Sequence, residues 1–440
     1  MTGEQWPDFA NFSTYTPTDA IGELNYANPG AYYDSPFLYN VRINHLTPGI
    51  TYYYQLPGDC NIYSFMIPEP KYPMTIGVFG DIGVTEASQL TVNALVAMKP
   101  AVVINTGDLS YADGWHPVWD TYGEMMQRIG AHVPILSTGG NHEFSNGQEA
   151  WLPYFSRWPQ PHKHSHSTNP CYYGIEVGKA TIISLCSFVD YEPNSIQYNW
   201  AAMFMSSINR RRTPWVIMTT HMPWYTSKAS ALYENEPMRR AMEPLTYKFG
   251  VDLVVYGHKH EYERSFPVYD YALDPCGAVH ITIGDGGNYG GAGVPYTPEA
   301  PFWSAFREGS FGAAKLVLLD DNTASWTWTR HSCQGAGSPS PSNNYAVNTS
   351  ALSCISVGDN SAQAMDVSDS FTLTRPDKKT CPQRWHNPKS RRLQGAEILD
   401  SMEADSGVSS VTNGAVIGVV LLSVGAVLLF VVKAFNVFKF

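Results

Sequence analysis

The sequence contains few charged residues and no excess of positive ones. Only 15% of its 440 residues are charged, and the formal net charge is −11. A chain with this acidic balance is repelled by phosphate backbones, which excludes nucleic acid as its main partner. Hydrophobic residues make up 44% of the chain, enough for a large core, and the length allows two or three domains. The low charge together with 13% aromatic residues favours a secreted or lumenal protein.

The sequence also lacks the cysteine pattern of a thiolate metal site. None of its seven cysteines forms a Cys-x-x-Cys pair, which argues against a zinc site of that kind. An oxidising compartment would permit disulfides, whose pairing the sequence leaves open. Two glycosylation sequons, which begin at Asn11 and Asn348, fit the same compartment. The cysteines are Cys60, Cys171, Cys186, Cys276, Cys333, Cys354 and Cys381.

An apolar segment is missing from the start of the sequence and present near its end. Met1–Phe9 has no apolar core and does not resemble a signal peptide. Ala415–Val432 is uncharged and almost wholly apolar, and Lys433 and Lys439 follow it. A run of this length is at the lower limit for a membrane span, and the lysines predict a cytoplasmic tail. We therefore expect a membrane-anchored protein whose body is extracellular or lumenal, at the cell surface or in an acidic compartment.

This expected topology conflicts with the lack of a signal peptide. One cause would resolve the conflict: an amino-terminal segment, with a signal peptide and the first strands, is missing from this sequence. The alternative is that Ala415–Val432 is a tail anchor inserted after synthesis, which would leave the body of the protein in the cytosol. A buried core helix is a third interpretation of the same run, but no foldable domain follows it.

The chain divides into stretches of different composition. Residues 1–70 contain strand-like runs at Tyr39–Ile43, Ile50–Gln55 and Ile62–Ile67, which predict part of a β-sandwich. From Met74 onward strands alternate with helices, which predicts parallel strands joined by right-handed crossovers. After His331 the chain is rich in Ser, Gly, Asn and Pro and then in charge, as is typical of a stalk. The predicted divisions are a partial β-sandwich (1–70), an α/β domain (71–333), a stalk (334–413), a transmembrane helix (414–433) and a tail (434–440).

One stretch organises the α/β domain. Val102–Asn105 is predicted to be a buried strand, Gly107 frees the backbone after it, and Asp108 and Tyr111 follow. Ligands of α/β sheets collect beyond the carboxyl ends of the strands, so Asp108 is placed where a metal or a phosphate would bind. An isolated aspartate here is explained equally well as a turn residue. The same arrangement of a strand followed by a polar side chain recurs, however, at four more strand ends.

The polar side chains at these strand ends share a chemistry. They offer carboxylate, amide and phenol oxygens and imidazole nitrogens, without sulfur. Imidazole suits zinc, iron and copper, while carboxylates accept harder ions. The set is too large for one tetrahedral metal and fits two metals that share a bridging aspartate. The residues are Asp81, Asp108, Tyr111, Asn141, His142, His221, His258 and His260.

Five short blocks of this sequence resemble those of the metallophosphoesterases. Tyr111 and Arg264 make the chain similar to one branch of that superfamily, the purple acid phosphatases, and so does the run 284–288. The similarity extends over residues 38–331. It implies an α/β fold, a metallophosphoesterase β-sheet sandwich flanked by helices, preceded by a partial all-β sandwich of the fibronectin III type. The blocks are Gly80-Asp81-Ile82-Gly83, Gly107-Asp108-Leu109-Ser110-Tyr111, Gly140-Asn141-His142-Glu143, His221-Met222-Pro223 and Gly257-His258-Lys259-His260.

The resemblance also implies a function and a role for each residue. It implies an acid phosphatase that hydrolyses small phosphate monoesters, with a metal-bound hydroxide that attacks phosphorus. His142 would hydrogen-bond the phosphate from outside the metal shell, and Asp108 would bridge the two metals. The implied ligands are Asp81, Tyr111 and His260 for Fe(III), and Asn141, His221 and His258 for a divalent ion (Zn, Fe or Mn).

Several alternatives remain open at this point. Plant-like relatives carry a histidine pair between the fourth and fifth blocks, but residues 230–235 contain no histidine, so the acid that protonates the leaving group is unassigned. Tyr233 and Glu234 are the candidates there. A second histidine cluster, at 162–166, is interpreted as a solvated loop rather than a metal site. Competing functions are a phosphodiesterase or nucleotide pyrophosphatase with the same blocks, and a membrane-anchored receptor that has lost catalysis.

Overall fold

A computed structural model describes most of the chain. The described residues are 46–56, 58–144, 151–293, 295–331 and 365–385, with short pieces at 14–15, 21–27, 33–41, 43, 334–335, 352–353 and 432–434. The helices are α1 (Glu86–Met98), α2 (Pro117–Gly130), α3 (Asn141–Phe144), α4 (Leu152–Arg157), α5 (Ile196–Ser207) and α6 (Glu236–Phe249). Two 3-10 helices cover His162–Ser165 and Pro382–Trp385.

The strands before the first crossover are β1 (Thr14–Tyr15), β2 (Ile21–Leu24), β3 (Leu38–Val41), β4 (Thr51–Tyr54), β5 (Tyr63–Met66) and β6 (Met74–Phe79). The central strands are β7 (Val102–Asn105), β8 (Ile135–Ser137), β9 (Tyr173–Val177), β10 (Ala180–Ser184), β11 (Trp215–Thr219) and β12 (Leu253–Tyr256). The later strands are β13 (Tyr262–Ser265), β14 (Val268–Tyr269), β15 (Ala272–Leu273), β16 (Val279–Ile283), β17 (Ser304–Glu308), β18 (Gly312–Leu318), β19 (Thr323–His331), β20 (Gln334–Gly335), β21 (Leu352–Ser353), β22 (Met365–Thr374) and β23 (Val432–Ala434).

Two large sheets form the body of the protein. One has seven strands in the order β17-β13-β16-β12-β11-β10-β9, and the other has six in the order β22-β19-β18-β6-β7-β8. Strands β10, β11, β12 and β16 run parallel, as do β6, β7 and β8. Helices join β6 to β7, β7 to β8, β10 to β11 and β11 to β12, as the alternation of patterns from Met74 onward predicts. Strand β12 is instead joined to β16 through β13, β14 and β15.

The main core lies between the two sheets. Strand β11 illustrates how one strand contributes to two cores, because successive side chains of a strand point to opposite faces. Trp215 and Ile217 pack into the core between the sheets, while Val216 and Met218 pack on the outer face with residues of α5 and α6. Helices α1 and α2 cover the outer face of the other sheet, around Val103 of β7. The fold is therefore a β-sheet sandwich flanked by helices, and the fold class predicted for the α/β domain is confirmed.

A smaller β region precedes the two sheets. A four-stranded sheet has the order β1-β23-β4-β5, and β2 pairs with β3 in a separate two-stranded sheet. Tyr52, Tyr54 and Phe65 form a separate buried cluster with Ile43 and Ile67. The three predicted strand-like runs thus correspond to β3, β4 and β5, each slightly shorter than the run.

The prediction of a stalk is wrong for residues 365–385. Strand β22 pairs with β19 along its whole length and forms an edge of the six-stranded sheet. Behind it Cys381 forms a disulfide with Cys276, and Arg384 is buried against Asp252. This strand was not predicted because one of its buried positions is a charged residue, Asp369, which interrupts the alternation of apolar residues. Residues 375–385 therefore belong to the same folded body.

Several predictions fall on other parts of the chain. Asn11 and Asn348 lie outside the described residues, and so does Ala415–Val432 apart from Val432, the first residue of β23. Within the parts of the chain that the structure describes, no helix is long and apolar enough to cross a bilayer. A second disulfide joins Cys171 to Cys186, and Cys60 is exposed and forms no disulfide with another cysteine of the described residues.

Candidate metal centre

The carboxyl ends of five strands, from both sheets, meet at one edge of the sandwich. Asp81, Asp108 and Asn141 follow β6, β7 and β8, while His221 and His258 follow β11 and β12. Parallel strands end at the same edge of their sheet, and the two sheets face each other, so the five loops converge. The structure brings together all eight side chains that the sequence singled out.

The loops turn sharply at the residues that carry the chemistry. Asp81, Asp108, Tyr111 and His258 all have positive φ angles, of 51°, 51°, 55° and 68°. Such left-handed backbone is uncommon for residues with a Cβ and concentrates at functional sites. The backbone of Gly140 also lies so close to Asp108 that a Cβ on this glycine would overlap the Asp108 carboxylate. The backbone is thus shaped to turn these side chains toward one point.

One cluster of ligand atoms forms around His221. Its Nδ1 lies 2.9 Å from the carbonyl oxygen of Thr106, which can only accept, so Nδ1 carries the proton. In the neutral ring Nε2 is then a bare acceptor, yet it faces Asn141 Oδ1 at 3.0 Å and Asp108 Oδ2 at 3.2 Å. His258 Nδ1 approaches the same Asn141 oxygen at 2.7 Å. Converging acceptors of this kind are the surroundings that a cation stabilises.

A second cluster shares Asp108 with the first. The Tyr111 hydroxyl lies 2.8 Å from His260 Nε2, 3.3 Å from Asp81 Oδ1 and 3.4 Å from Asp108 Oδ2. His260 Nε2 is also 3.6 Å from Asp81 Oδ1. Ligand atoms of Asp81, Asp108 and His260 lie within 4.8 Å of one another, as do those of Asp108, His221 and His258. Asp108 is the residue common to both groups.

Burial of the acidic side chains at this edge of the sandwich disfavours their charged forms. The carboxylates of Asp81 and Asp108 are fully buried, and burial together with the charge of Asp108 holds the pKa of Asp81 well above its usual range. Burial alone would also raise the pKa of Asp108, but His221 and His142 beside it lower that pKa. Burial and the charge of Asp81 raise the pKa of Tyr111. A positive ion among these oxygens would stabilise all three in their charged forms.

The donor set and its geometry fit a pair of metal ions. Both carboxylates are buried, the donors are oxygen and nitrogen, and the two groups of atoms share one carboxylate. Imidazole suits zinc, iron and copper and carboxylates accept harder ions, so each group of donors could hold one ion. Asp81, Tyr111 and His260 would hold the first ion, Asn141, His221 and His258 the second, and Asp108 both.

His142 stands beside this centre and not among its ligand atoms. Its Nε2 is 3.9 Å from Asp108 Oδ2, and its ring lies 4.1 Å from that of Tyr111. Nδ1 is hydrogen-bonded to Asp113, whose other oxygen accepts a 2.6 Å bond from the Tyr289 hydroxyl. Burial would lower the pKa of His142, but Asp108 and Asp113 outweigh it and raise that pKa to about 9. Asp113, an aspartate that the sequence did not single out, therefore favours the protonated form of this ring.

Glu143, which lies in the third sequence block, joins two loops of the centre, a role that the sequence did not indicate. Its buried carboxylate accepts hydrogen bonds from the backbone N–H groups of Asp108 (3.0 Å), Leu109 (2.9 Å) and Gly140 (2.8 Å). These groups belong to the loops after β7 and β8. Glu143 therefore fixes the loop of the shared carboxylate against the loop of Asn141. No spacing rule in the sequence indicates such a contact, because it depends on how two loops meet.

The candidates for a leaving-group acid do not carry a proton toward the centre. Hydrogen bonds from His258 and Lys259 outweigh burial and lower the pKa of Glu234 to about 2, so Glu234 is an anion. The Tyr233 ring is 63% exposed and packs against Tyr271. The residue that protonates the leaving group stays unassigned.

Other residues singled out from the sequence serve the structure. Arg264 forms an ion pair with Asp369 of β22 at 2.7 Å. In the run 284–288, Asn288 donates to the carbonyl oxygen of Asp81 at 3.0 Å and so supports the Asp81 loop. His164 and His166 are exposed, and among the described residues the histidines of 162–166 join no group of potential metal ligands.

Comparison with protein families identifies two matching regions. Residues 74–262 match the family described as calcineurin-like phosphoesterase, and residues 277–337 match iron/zinc purple acid phosphatase-like protein C. The first region contains all eight residues of the candidate centre. The second contains the strands β16 to β19, which contribute to both sheets.

Individual proteins show the same relationship. The chain is 37% identical over 335 residues to purple acid phosphatase 18 of Arabidopsis thaliana, covering 74% of this chain and 76% of that protein. It is 35% identical over 326 residues to purple acid phosphatase 1 of Ipomoea batatas, covering 68% and 70%. Among solved structures, the purple acid phosphatase PPD1 of yellow lupin (Lupinus luteus) has a TM-score of 0.67 at 21% identity, with 82% and 68% covered. This last likeness is one of fold.

Proposed function

Because the chain belongs to the purple acid phosphatases, we propose that it is an acid phosphatase that hydrolyses small phosphate monoesters at a binuclear metal centre. The observation that carries the proposal is the position of Asp108, whose carboxylate belongs to both groups of potential ligands. A shared carboxylate is what two adjacent metal ions require. Phosphate-ester hydrolysis is a reaction for which paired ions are well suited.

The proposed centre contains Fe(III) and a divalent ion, which is Zn, Fe or Mn. The ferric ion is assigned to Asp81, Tyr111 and His260, the divalent ion to Asn141, His221 and His258, and Asp108 is assigned to both. When bound, such a pair polarises the phosphoryl oxygens and lowers the pKa of water. A ferric ion is the stronger Lewis acid of the two, which suits catalysis at acidic pH.

The protein side chains orient the substrate around this centre. Asp113 engages Nδ1 of His142 and favours the protonated ring, in which Nε2–H can donate to a phosphoryl oxygen. Tyr289 fixes the other oxygen of Asp113 and so limits rotation of the whole group. Charge that develops on the phosphoryl oxygens in the transition state is stabilised by a donor that is already oriented.

The reaction class is tested by comparing two substrates. We expect the purified full chain to hydrolyse p-nitrophenyl phosphate at acidic pH and to act poorly on bis(p-nitrophenyl) phosphate. Preference for the diester would instead support a phosphodiesterase or nucleotide pyrophosphatase. Binding of the metals without turnover of either ester would support a non-catalytic receptor.

The His142→Ala variant tests the assignment of that side chain. We expect kcat to fall by about 10²–10³, as for the loss of one oriented donor to a transition state. Metal content and the visible spectrum should stay those of the wild type, because no ligand is removed. Loss of a metal ion from this variant would show that His142 belongs to the metal shell.

We also propose a cellular setting for the enzyme. The apolar run Ala415–Val432 would anchor it in a membrane, with the phosphatase domain extracellular or lumenal, glycans at Asn11 and Asn348, and a fibronectin III-like domain at the amino end. Support comes from the sequons, the apolar run, and the two disulfides, which require an oxidising compartment. Glycosidase sensitivity, together with protection from protease in sealed vesicles, would agree with this setting. Cleavage of the phosphatase domain from the cytosolic side would contradict it.

A further inference from the structure

His258 makes contact with a second group through the nitrogen that points away from the centre. Its Nδ1 lies 2.7 Å from Asn141 Oδ1, and its Nε2 lies 3.3 Å from Glu234 Oε1. The Glu234 carboxylate also pairs with Lys259, and a carboxylate oxygen accepts, so Nε2 is the nitrogen of His258 that carries the proton in this contact. The lone pair of Nδ1 is then directed toward Asn141 and the space assigned to the divalent ion.

The loop that presents Glu234 is fixed by one hydrogen bond to the His221 loop and by a turn of its own. The buried amide of Asn235 donates a 3.0 Å hydrogen bond to the carbonyl oxygen of Met222, the residue after His221. The backbone N–H of Glu234 donates to the carbonyl oxygen of Ala231 at 3.1 Å. Helix α6 begins directly afterwards, at Glu236. Glu234 is thus held in place relative to two of the assigned ligands, His221 and His258.

The charged residues around Glu234 show which carboxylate contacts the ring of His258. Glu234 also pairs with Lys259, which lies between His258 and His260 in the chain. The nearest other carboxylate in sequence, that of Glu236, accepts hydrogen bonds from Arg239, Arg240 and Tyr271. Among these neighbours Glu234 is therefore the carboxylate that reaches the ring of His258.

We propose that Glu234 is a positioning residue, which fixes the ring orientation and tautomer of His258 so that Nδ1 binds the divalent ion. Carboxylates that accept from the far nitrogen of a metal-bound histidine orient the ring and increase its basicity. The inference rests on the proposed function, because it assumes the binuclear centre. It assigns to residues 230–235, which lack histidine, a part in metal binding rather than in proton transfer.

The test measures zinc binding by three variants of the full chain loaded with ferric iron. Zinc is titrated by equilibrium dialysis, and both metals are quantified by mass spectrometry beside the visible spectrum. Glu234→Ala should bind zinc about 10–100-fold more weakly, the usual effect of losing such a partner, and should keep the iron and its absorption band. Glu234→Gln keeps an acceptor oxygen and should bind zinc nearly as the wild type does. Lys259→Met removes the ion pair but leaves the bond to His258, and should also keep its zinc affinity.

Three results would overturn the proposal. The first is unchanged zinc affinity in Glu234→Ala. The second is an equal loss in Lys259→Met, which would assign the effect to the ion pair. The third is loss of the iron band together with zinc, which would show general collapse of the site. A wild-type protein that binds neither metal would contradict the proposed function itself, and with it the premise of this inference.

Discussion

The Asp108→Ala variant is expected to bind neither metal ion and to lose phosphatase activity to the background level. Its carboxylate contributes to both groups of ligand atoms, with Oδ2 at 3.2 Å from His221 Nε2 and 3.4 Å from the Tyr111 hydroxyl. Oδ1 meanwhile accepts from the backbone N–H of His142 at 2.9 Å. The loss should exceed the roughly 10³ that removal of a single transition-state donor can cause, because both ions are affected.

Metal analysis and kcat for p-nitrophenyl phosphate are the measurements for this variant. Asn141→Ala is the matched control, because Asn141 belongs to the group around His221 and not to that around Tyr111. It should lose the divalent ion and keep the ferric one. If Asp108→Ala retained one ion at full occupancy, the bridging role would have to be abandoned.

The Asp252→Asn variant is expected to lower the free energy of unfolding by about 3–5 kcal/mol, the usual effect of breaking a buried ion pair. Asp252 is fully buried and faces three arginines: Arg210 at 2.6 Å, Arg384 at 2.7 Å and Arg375 at 3.5 Å. It also accepts a 2.8 Å hydrogen bond from the backbone N–H of Val216. Removal of its charge leaves three buried guanidinium groups without their counter-ion.

Chemical denaturation of the full chain measures this effect. The control is Glu176→Gln, because the ion pair of Glu176 with Arg212 is largely exposed and should be worth no more than about 1 kcal/mol. Arg384→Met removes one of the three cations and leaves Asp252 paired, so it should fold even if Asp252→Asn does not. A change below about 1 kcal/mol in Asp252→Asn would show that the cluster is not what secures residues 375–385 to the sheets.

The strands that lead into the centre could be predicted because their sequence patterns are local. Val102–Asn105 is uniformly apolar up to its last residue, has Gly107 two residues after its end, and coincides with β7. The convergence of the polar side chains follows from the rule that parallel strands end at one edge of a sheet. The eight residues could thus be gathered from sequence, although which atoms approach each other could not.

The parts that sequence reasoning missed depend on contacts between distant segments. Strand β22 carries Asp369 on a buried position, where it binds Arg264 and the Tyr262 hydroxyl, so its apolar alternation is interrupted. Asp113 and Glu234 act on His142 and His258, which lie 29 and 24 residues away in the chain. No periodicity records such pairs, since each is created where two loops happen to meet.

The visible absorption spectrum of the purified full chain, measured together with its metal content, tests the central claim most directly. Tyr111 lies within 3.4 Å of Asp81, Asp108 and His260, so a ferric ion held by these residues would bind it as tyrosinate and give a purple charge-transfer band. We predict a coloured protein that contains iron and a divalent metal in equal amounts. The Tyr111→Phe variant should lose the band while its fold, followed by circular dichroism, stays intact. A wild-type protein without iron, or an unchanged band in Tyr111→Phe, would contradict the proposed centre.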